Sequence, residues 1–229
     1  QLDGATTLEG QIGDLVSSGD RVYLAAGDSV YLFRQAADGS LTQVAQYADI
    51  DGLQNANRLL LSADGRFLFA SGMGSQTQLS VLAIAGDGRL SVVDSLKASD
   101  ADTFYATAAM AVSADGKTLY VLDNYADAVL GIFTVGTDGT LQRVGEQAVN
   151  SAANDLIVTA NGSAVIVVGK VIEVFSRGDD GRLQVVSGAP QLQLLANSLG
   201  GLSLSADGKT LFVAGDFGDE YLVGYDLGL

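Results

Sequence analysis

Five times along this chain of 229 residues, a polar turn signal closes one short apolar run and opens the next. It reads Ser62-Ala63-Asp64-Gly65, Ser113-Ala114-Asp115-Gly116, Thr159-Ala160-Asn161-Gly162, Ser205-Ala206-Asp207-Gly208 and, in degenerate form, Ser17-Ser18-Gly19-Asp20. The copies stand 45 to 51 residues apart. Between them falls a second signal, Asp-Gly with a Leu close behind, at Asp38-Gly39, Asp87-Gly88, Asp138-Gly139 and Asp180-Gly181. A period of this length means one supersecondary unit stacked on copies of itself, none of which buries its core alone.

Each unit reads as four strands, a to d. Strand a is short and apolar, as at 59–61, and strand b follows its turn at once, as at 67–70 or 119–122. Strand c covers 30–33, 79–85, 129–135 or 171–175, and strand d follows the second turn, as at 141–144. The turns carry Asp and Gly because a tight hairpin needs positive φ, which Gly accepts freely and Asn or Asp tolerate. Strands this short, separated by regular turn signals and showing no helical period, predict an all-β fold. Four strands per unit predict the blade of a β-propeller. The predicted architecture is one domain, a five-bladed β-propeller of four-stranded antiparallel blades at about 11–47, 57–97, 108–148, 154–189 and 201–229. In the second and third copies the second-turn Asp follows the first Ser by 25 residues, which would put the fifth copy's second turn just past Leu229. Residues 1–10 are therefore expected to complete the last blade, with 5–10 as its fourth strand, sealing the ring and removing exposed edges.

Composition narrows the function. The absence of His and Cys excludes thiol nucleophiles, Ser-His-Asp and Cys-His relays, and ordinary zinc or haem ligation. Twelve basic against 27 acidic residues give a net charge of −15, which opposes phosphate backbones and anionic lipid, so nucleic acid is not an expected partner. No run nears the roughly 20 apolar residues of a membrane helix, and no membrane insertion is expected. A cysteine-free, acidic, lysine-poor chain suits an extracellular or cell-surface setting, and a ring sealed by its own ends is expected to be a monomer.

The runs Ser113-Ala114-Asp115-Gly116-Lys117-Thr118-Leu119-Tyr120-Val121 and Ser205-Ala206-Asp207-Gly208-Lys209-Thr210-Leu211-Phe212-Val213 resemble the surface-layer (YVTN-type) repeat of lactonase-like β-propellers. The likeness extends over all five units and implies the propeller fold. The lactonases it brings to mind have seven blades and act through channel residues that include His and Arg, so the resemblance carries no catalytic residue onto this His-free chain. It also extends to propeller modules of bacterial surface and secreted proteins, which serve as scaffold or recognition domains.

In this topology the a–b and c–d hairpins share one face, and the d–a and b–c loops share the other. The hairpin acids Asp38, Asp64, Asp87, Asp115, Asp138, Asp180 and Asp207 are expected only to form turns. The irregular loop face is where a site is expected, because loops on a rigid scaffold carry function. Its rings Phe104, Tyr105, Tyr125 and Phe217, with the polar Asn57, Asp102, Asp123, Asn124, Asp155 and Asn197, make up the predicted site for a glycan or protein ligand. No cofactor is expected. Ca²⁺ is the one ion that the rim acids, among them Asp49, Asp100 and Asp219, would suit, although their spacing matches no known calcium loop. Arg177-Gly178-Asp179 spells an adhesion tripeptide and Asn161-Gly162-Ser163 a glycosylation triplet, but both coincide with turns that need those residues. The expected function is a non-catalytic scaffold or recognition module. The alternative is a lactonase-like or glycoside hydrolase working through channel-mouth carboxylates, with Asp14, Asn57 and Asp155 at that level.

Overall fold

The computed structural model describes residues 8, 10–48, 50, 53–72, 79–96, 106–124, 127–149, 153–169, 171–186, 198–216 and 220–227. Among them there is no helix, and nineteen strands fall into five sheets. Sheet 1 runs β1 (Ile12–Ser18), β2 (Arg21–Ala26), β3 (Ser29–Gln35), β4 (Leu41–Ala48), in that order. Sheet 2 is β5 (Ala56–Leu61), β6 (Phe67–Gly72), β7 (Leu79–Ile84), β8 (Leu90–Leu96). Sheet 3 is β9 (Thr107–Val112), β10 (Thr118–Asp123), β11 (Val129–Val135), β12 (Leu141–Ala148). Sheet 4 is β13 (Asp155–Val158), β14 (Ala164–Val168), β15 (Ile172–Arg177), β16 (Leu183–Val185). Sheet 5 has three described strands, β17 (Ser198–Leu204), β18 (Thr210–Asp216) and β19 (Glu220–Asp226). The fold is thus the all-β array of antiparallel four-stranded sheets that a propeller requires. The expected twentieth strand, 5–10, falls largely outside the described residues.

The repeated turn explains its own wording. Ser62 Oγ donates to Asp64 Oδ1 (2.7 Å) and accepts the Phe67 amide (2.9 Å), while the same carboxylate oxygen accepts the Arg66 amide (3.1 Å). Gly65 donates back to the Ser62 carbonyl (2.9 Å) and sits at φ 68°, the left-handed region that closes a type I turn into a hairpin. The pattern recurs around Ser113 and Ser205. Among these Asp-Gly pairs Gly alone takes positive φ; Asp acts through its side chain.

The middle strands read as unbroken apolar runs because both their faces are covered, and Phe67–Gly72 and Thr118–Asp123 are buried throughout. The chain divides into two compact units, Gln1–Thr107 with Gly136–Leu141, and Ala108–Val135 with Gln142–Leu229. In the first, one face of sheet 1 (Tyr23, Ala25, Val30, Leu32) packs on Leu59, Leu68, Ala70 and Leu82 of sheet 2. In the second, Tyr120, Leu122, Leu130 and Ile132 of sheet 3 pack on Leu156, Val165 and Val167 of sheet 4. Sheet 4 in turn presents Ile166, Val168 and Ile172 to Leu211 and Val213 of sheet 5.

A polar joint crosses two of these contacts. Tyr23 Oη donates to the Gly88 carbonyl (2.9 Å), and Tyr120 Oη donates to the Gly181 carbonyl (2.8 Å). Each glycine belongs to the c–d turn of the next sheet and has positive φ, 89° and 79°. A Cβ at Gly181 would lie 2.8 Å from Thr118 Oγ1, so both φ and space require glycine there. Arg177 Nε donates to Tyr120 Oη (3.1 Å), and its Nη2 meets Asp115 (3.2 Å) and Thr118 (3.0 Å), which commits the arginine of the adhesion-like tripeptide to the fold.

Candidate functional site

The first strands of neighbouring sheets converge, β1 on β5 in one unit and β13 on β17 in the other. Three of them carry a β-bulge near their start, as pairing slips by one residue at Gly13, Asn57 and Gly200. A bulge re-aims side chains and bends its strand, and it favours the edges of sites. At Gly13 the approach to β5 is closest. A Cβ there would collide with the Ala56 carbonyl and lie 2.5 Å from Asn57 Cα.

Between β1 and β5 lies a cavity of about 330 Å³ lined by Gln11, Ile12, Gly13, Asn55, Ala56 and Asn57. Its walls are tied together through the b–c turn of sheet 1: Gly27 donates to Gln11 O (3.0 Å), and Ala56 N donates to Gly27 O (2.7 Å). The Asn55 amide donates to Asp28 Oδ1 (2.8 Å), and Asn55 holds φ at 48°, the one described non-glycine residue with positive φ. Asn57 Nδ2 donates to the Thr107 carbonyl (3.1 Å), which fixes its orientation, while Asn57 Oδ1 is buried without a partner.

Asp14 follows the bulge but is spent on the backbone. Its Oδ1 accepts the Leu15 amide (2.8 Å) and its Oδ2 the Leu59 amide (3.0 Å) across the sheet boundary. The carboxylate therefore staples β1 to β5, which removes it from the pair that the hydrolase alternative assigns to the channel mouth.

In the second unit, Asp123 ends β10 and is buried, and Asn124 Nδ2 donates to the Ala153 carbonyl (3.1 Å). Asp155 opens β13, and its Oδ1 accepts the Leu156 amide (2.8 Å). The structure thus joins Asn124 to the segment leading into Asp155, and it places Asn57 in the wall of the first unit's cavity. The other predicted site residues, Asp102, Phe104, Tyr105, Tyr125, Asn197 and Phe217, lie outside the described residues. Much of the acidic rim, including Asp49, Asp100 and Asp219, lies there too; among the described residues no group of three metal-ligating side chains is placed to hold an ion. Sequence reading missed Gln11, Ile12 and Gly13, whereas Asn55 and Ala56 fall within the loop-face stretch 49–57 that it marks as a candidate. A bulge is set by how one strand pairs with its neighbour, and the short first strands carry too few residues for a shift of one in their alternation to stand out.

Residues 27–193 match the family described as Lactonase, 7-bladed beta-propeller. The chain belongs to that lactonase family. Among solved structures, a protein from Lactobacillus plantarum matches with TM-score 0.76 and 18% identity, covering 91% of this chain and 65% of its own. The periplasmic gluconolactonase of Pseudomonas aeruginosa matches with TM-score 0.67 and 21% identity, covering 90% and 65%. A Bacteroides uniformis structure described as a candidate 6-phosphogluconolactonase gives 0.66 and 24%, covering 77% and 53%. The chain therefore spans about half to two-thirds of the length of these lactonase-like propellers. Among curated proteins none matches. Lactonase membership overturns the expectation of a non-catalytic scaffold or recognition module and favours the lactonase alternative. The expectation failed because it gave the lack of His more weight than the repeat, although His is one of several groups able to serve hydrolysis.

Proposed function

We propose that the chain hydrolyses a sugar lactone. Membership of the lactonase family over residues 27–193 carries this reading. In such a reaction water adds to the lactone carbonyl, the ring ester C–O bond breaks, and the ring oxygen takes a proton. The product is an open hydroxy acid that releases one proton at neutral pH. In a chain without His or Cys, the base we assign to activating water is a carboxylate. We assign Asp155 and Asp123, with Asn124 next along the chain from Asp123, to the reacting end, and rank Asp14 behind them because both of its carboxylate oxygens accept backbone amides. The test is proton release at constant pH from D-glucono-1,5-lactone. A rate above the uncatalysed one that falls by about 100-fold or more in Asp155→Asn or Asp123→Asn supports the reading; a rate equal to buffer alone removes it.

We propose further that the blades number five. Five copies of the first turn signal and five sheets among the described residues support this count, against seven for the family description. An extracellular setting and a monomeric state belong to the same proposal.

A further inference from the structure

We infer that Asn161 is a deamidation site: with water as the co-reactant, its carboxamide is converted, without global unfolding, to a carboxylate that the turn is already built to hold. The inference stands apart from the lactonase reading. Of the seven asparagines in the chain, Asn161 alone precedes a glycine. It is exposed, and it takes the place that aspartate holds in the sister turns at Asp64, Asp115 and Asp207. Its Oδ1 accepts the Ser163 amide (3.1 Å) and the Ser163 hydroxyl (2.8 Å). The same pair of donors meets a carboxylate at Asp38, from Ser40 (2.9 and 2.7 Å), and at Asp138, from Thr140 (3.1 and 2.8 Å). There the hydroxyl and amide donors hold the carboxyl below its ordinary pKa. An aspartate at 161 therefore finds its partners in place and carries its charge at neutral pH. Conversion adds one negative charge to the net −15 and removes the asparagine of the glycosylation triplet.

In the first step the Gly162 nitrogen gives up its proton and attacks Asn161 Cγ. The new C–N bond closes a succinimide ring, the carboxamide C–N bond breaks, and the leaving nitrogen takes a proton and departs as ammonia. Water then opens the ring at either carbonyl, giving aspartate or its isomer linked through the side-chain carboxyl. Glycine puts no side chain in the path of the attack. The two Ser163 donors meet the oxygen on which negative charge develops. A Cβ at Gly162 would stand 3.8 Å from Arg177 Nη1, so a guanidinium lies beside the attacking residue and favours loss of its amide proton. One contact opposes the reaction. The Gly162 amide donates to the Thr159 carbonyl (2.7 Å), with Gly162 held at φ 70°. That bond closes the hairpin and has to open before the nitrogen can attack, which makes local opening of the turn the gate on the rate.

The experiment incubates the whole chain in heavy-oxygen water at mildly alkaline pH, native and in urea, and locates each converted asparagine by mass spectrometry of the digest. In the native chain Asn161 should convert first of the seven, with label in both the aspartate and the isoaspartate product, and more slowly than in urea. Ser163→Ala should slow the native rate by about fivefold, the worth of one hydrogen bond, and leave the urea rate unchanged, since the donors are aligned only in the folded turn. Asn161→Asp, the product made directly, should match or exceed the Tm of the unaltered chain at neutral pH. A native chain that keeps Asn161 while its urea-treated counterpart converts overturns the inference. So does earlier conversion of another asparagine, or an unchanged native rate in Ser163→Ala protein of unchanged Tm. A lowered Tm in Asn161→Asp means that the turn rejects the carboxylate, and it overturns the inference as well. Lactone turnover enters none of these readings, so the outcome is independent of the proposed activity.

Discussion

Asp14 and Asp64 show how one residue type does two different jobs in this fold. Asp14 joins two sheets by accepting the amides of Leu15 and Leu59, so Asp14→Ala strands a part-buried donor. It should destabilise the protein by about 1–3 kcal/mol, measured by denaturant unfolding, with turnover per folded molecule unchanged. Asp64 lies in an exposed turn, where hydrogen bonds from the Arg66 guanidinium, the Ser62 hydroxyl and the Arg66 amide hold its pKa down at about 2. Hydroxyl and amide donors similarly lower Asp38, Asp138 and Asp207, and in Asp115 the Ser113, Lys117 and Arg177 contacts outweigh burial, which acts the other way. A depressed folded pKa stabilises above the unfolded value near 4, and that contribution is lost as pH falls toward 2. The difference in unfolding free energy between the unaltered chain and Asp64→Asn should therefore shrink from pH 5 to pH 2; a constant gap would contradict it. The Asp and Gly of these turns were legible in the sequence because turn chemistry is local. The role of Ser62, whose hydroxyl binds both the carboxylate and the Phe67 amide, was not, since Ser is common in turns for several reasons.

At the scale of strands and hairpins, the joint between sheets concentrates on one ring and one turn. Tyr120→Phe keeps the buried ring but leaves the Gly181 carbonyl and Arg177 Nε without that partner, and should cost about 1–3 kcal/mol by thermal or denaturant unfolding. Gly139→Ala acts on the same kind of seat in the first unit, where a Cβ would stand 2.5 Å from Phe67 Cε1 at a φ of 90°. Strain and overpacking together should lower stability by at least about 1 kcal/mol, whereas Gly65→Ala, with open space around it, meets only the backbone penalty. Middle strands were legible because burial on both faces leaves nothing but apolar residues, as in Leu119, Tyr120, Val121 and Leu122. The bulges at Gly13 and Asn57 were not, because they depend on how closely two neighbouring strands approach, and this hid the β1 side of the cavity wall.

Across the whole molecule, the proposed blade number turns on one face of sheet 5. Leu222 is 72% exposed and Phe212 38%, whereas Leu130 and Ile172, which stand where Leu222 does in sheets 3 and 4, are 0% and 2% exposed. Closure of the proposed ring has to cover those side chains, so Leu222→Glu should lower unfolding free energy by about 1.5–3 kcal/mol; a chain that ends in an open face would tolerate the change. The repeat period revealed the array, and it could not reveal the count, because every blade presents the same turns whatever their number. The joint made by Tyr120 and Gly181, and by Tyr23 and Gly88, has a bearing on how such chains change over time. The plug stands in sheets 1 and 3 and its socket in sheets 2 and 4, so the connector comes in pairs of segments. A gene that gains or drops such a pair as a unit keeps the seam inside it intact, whereas a single segment does not bring its own match.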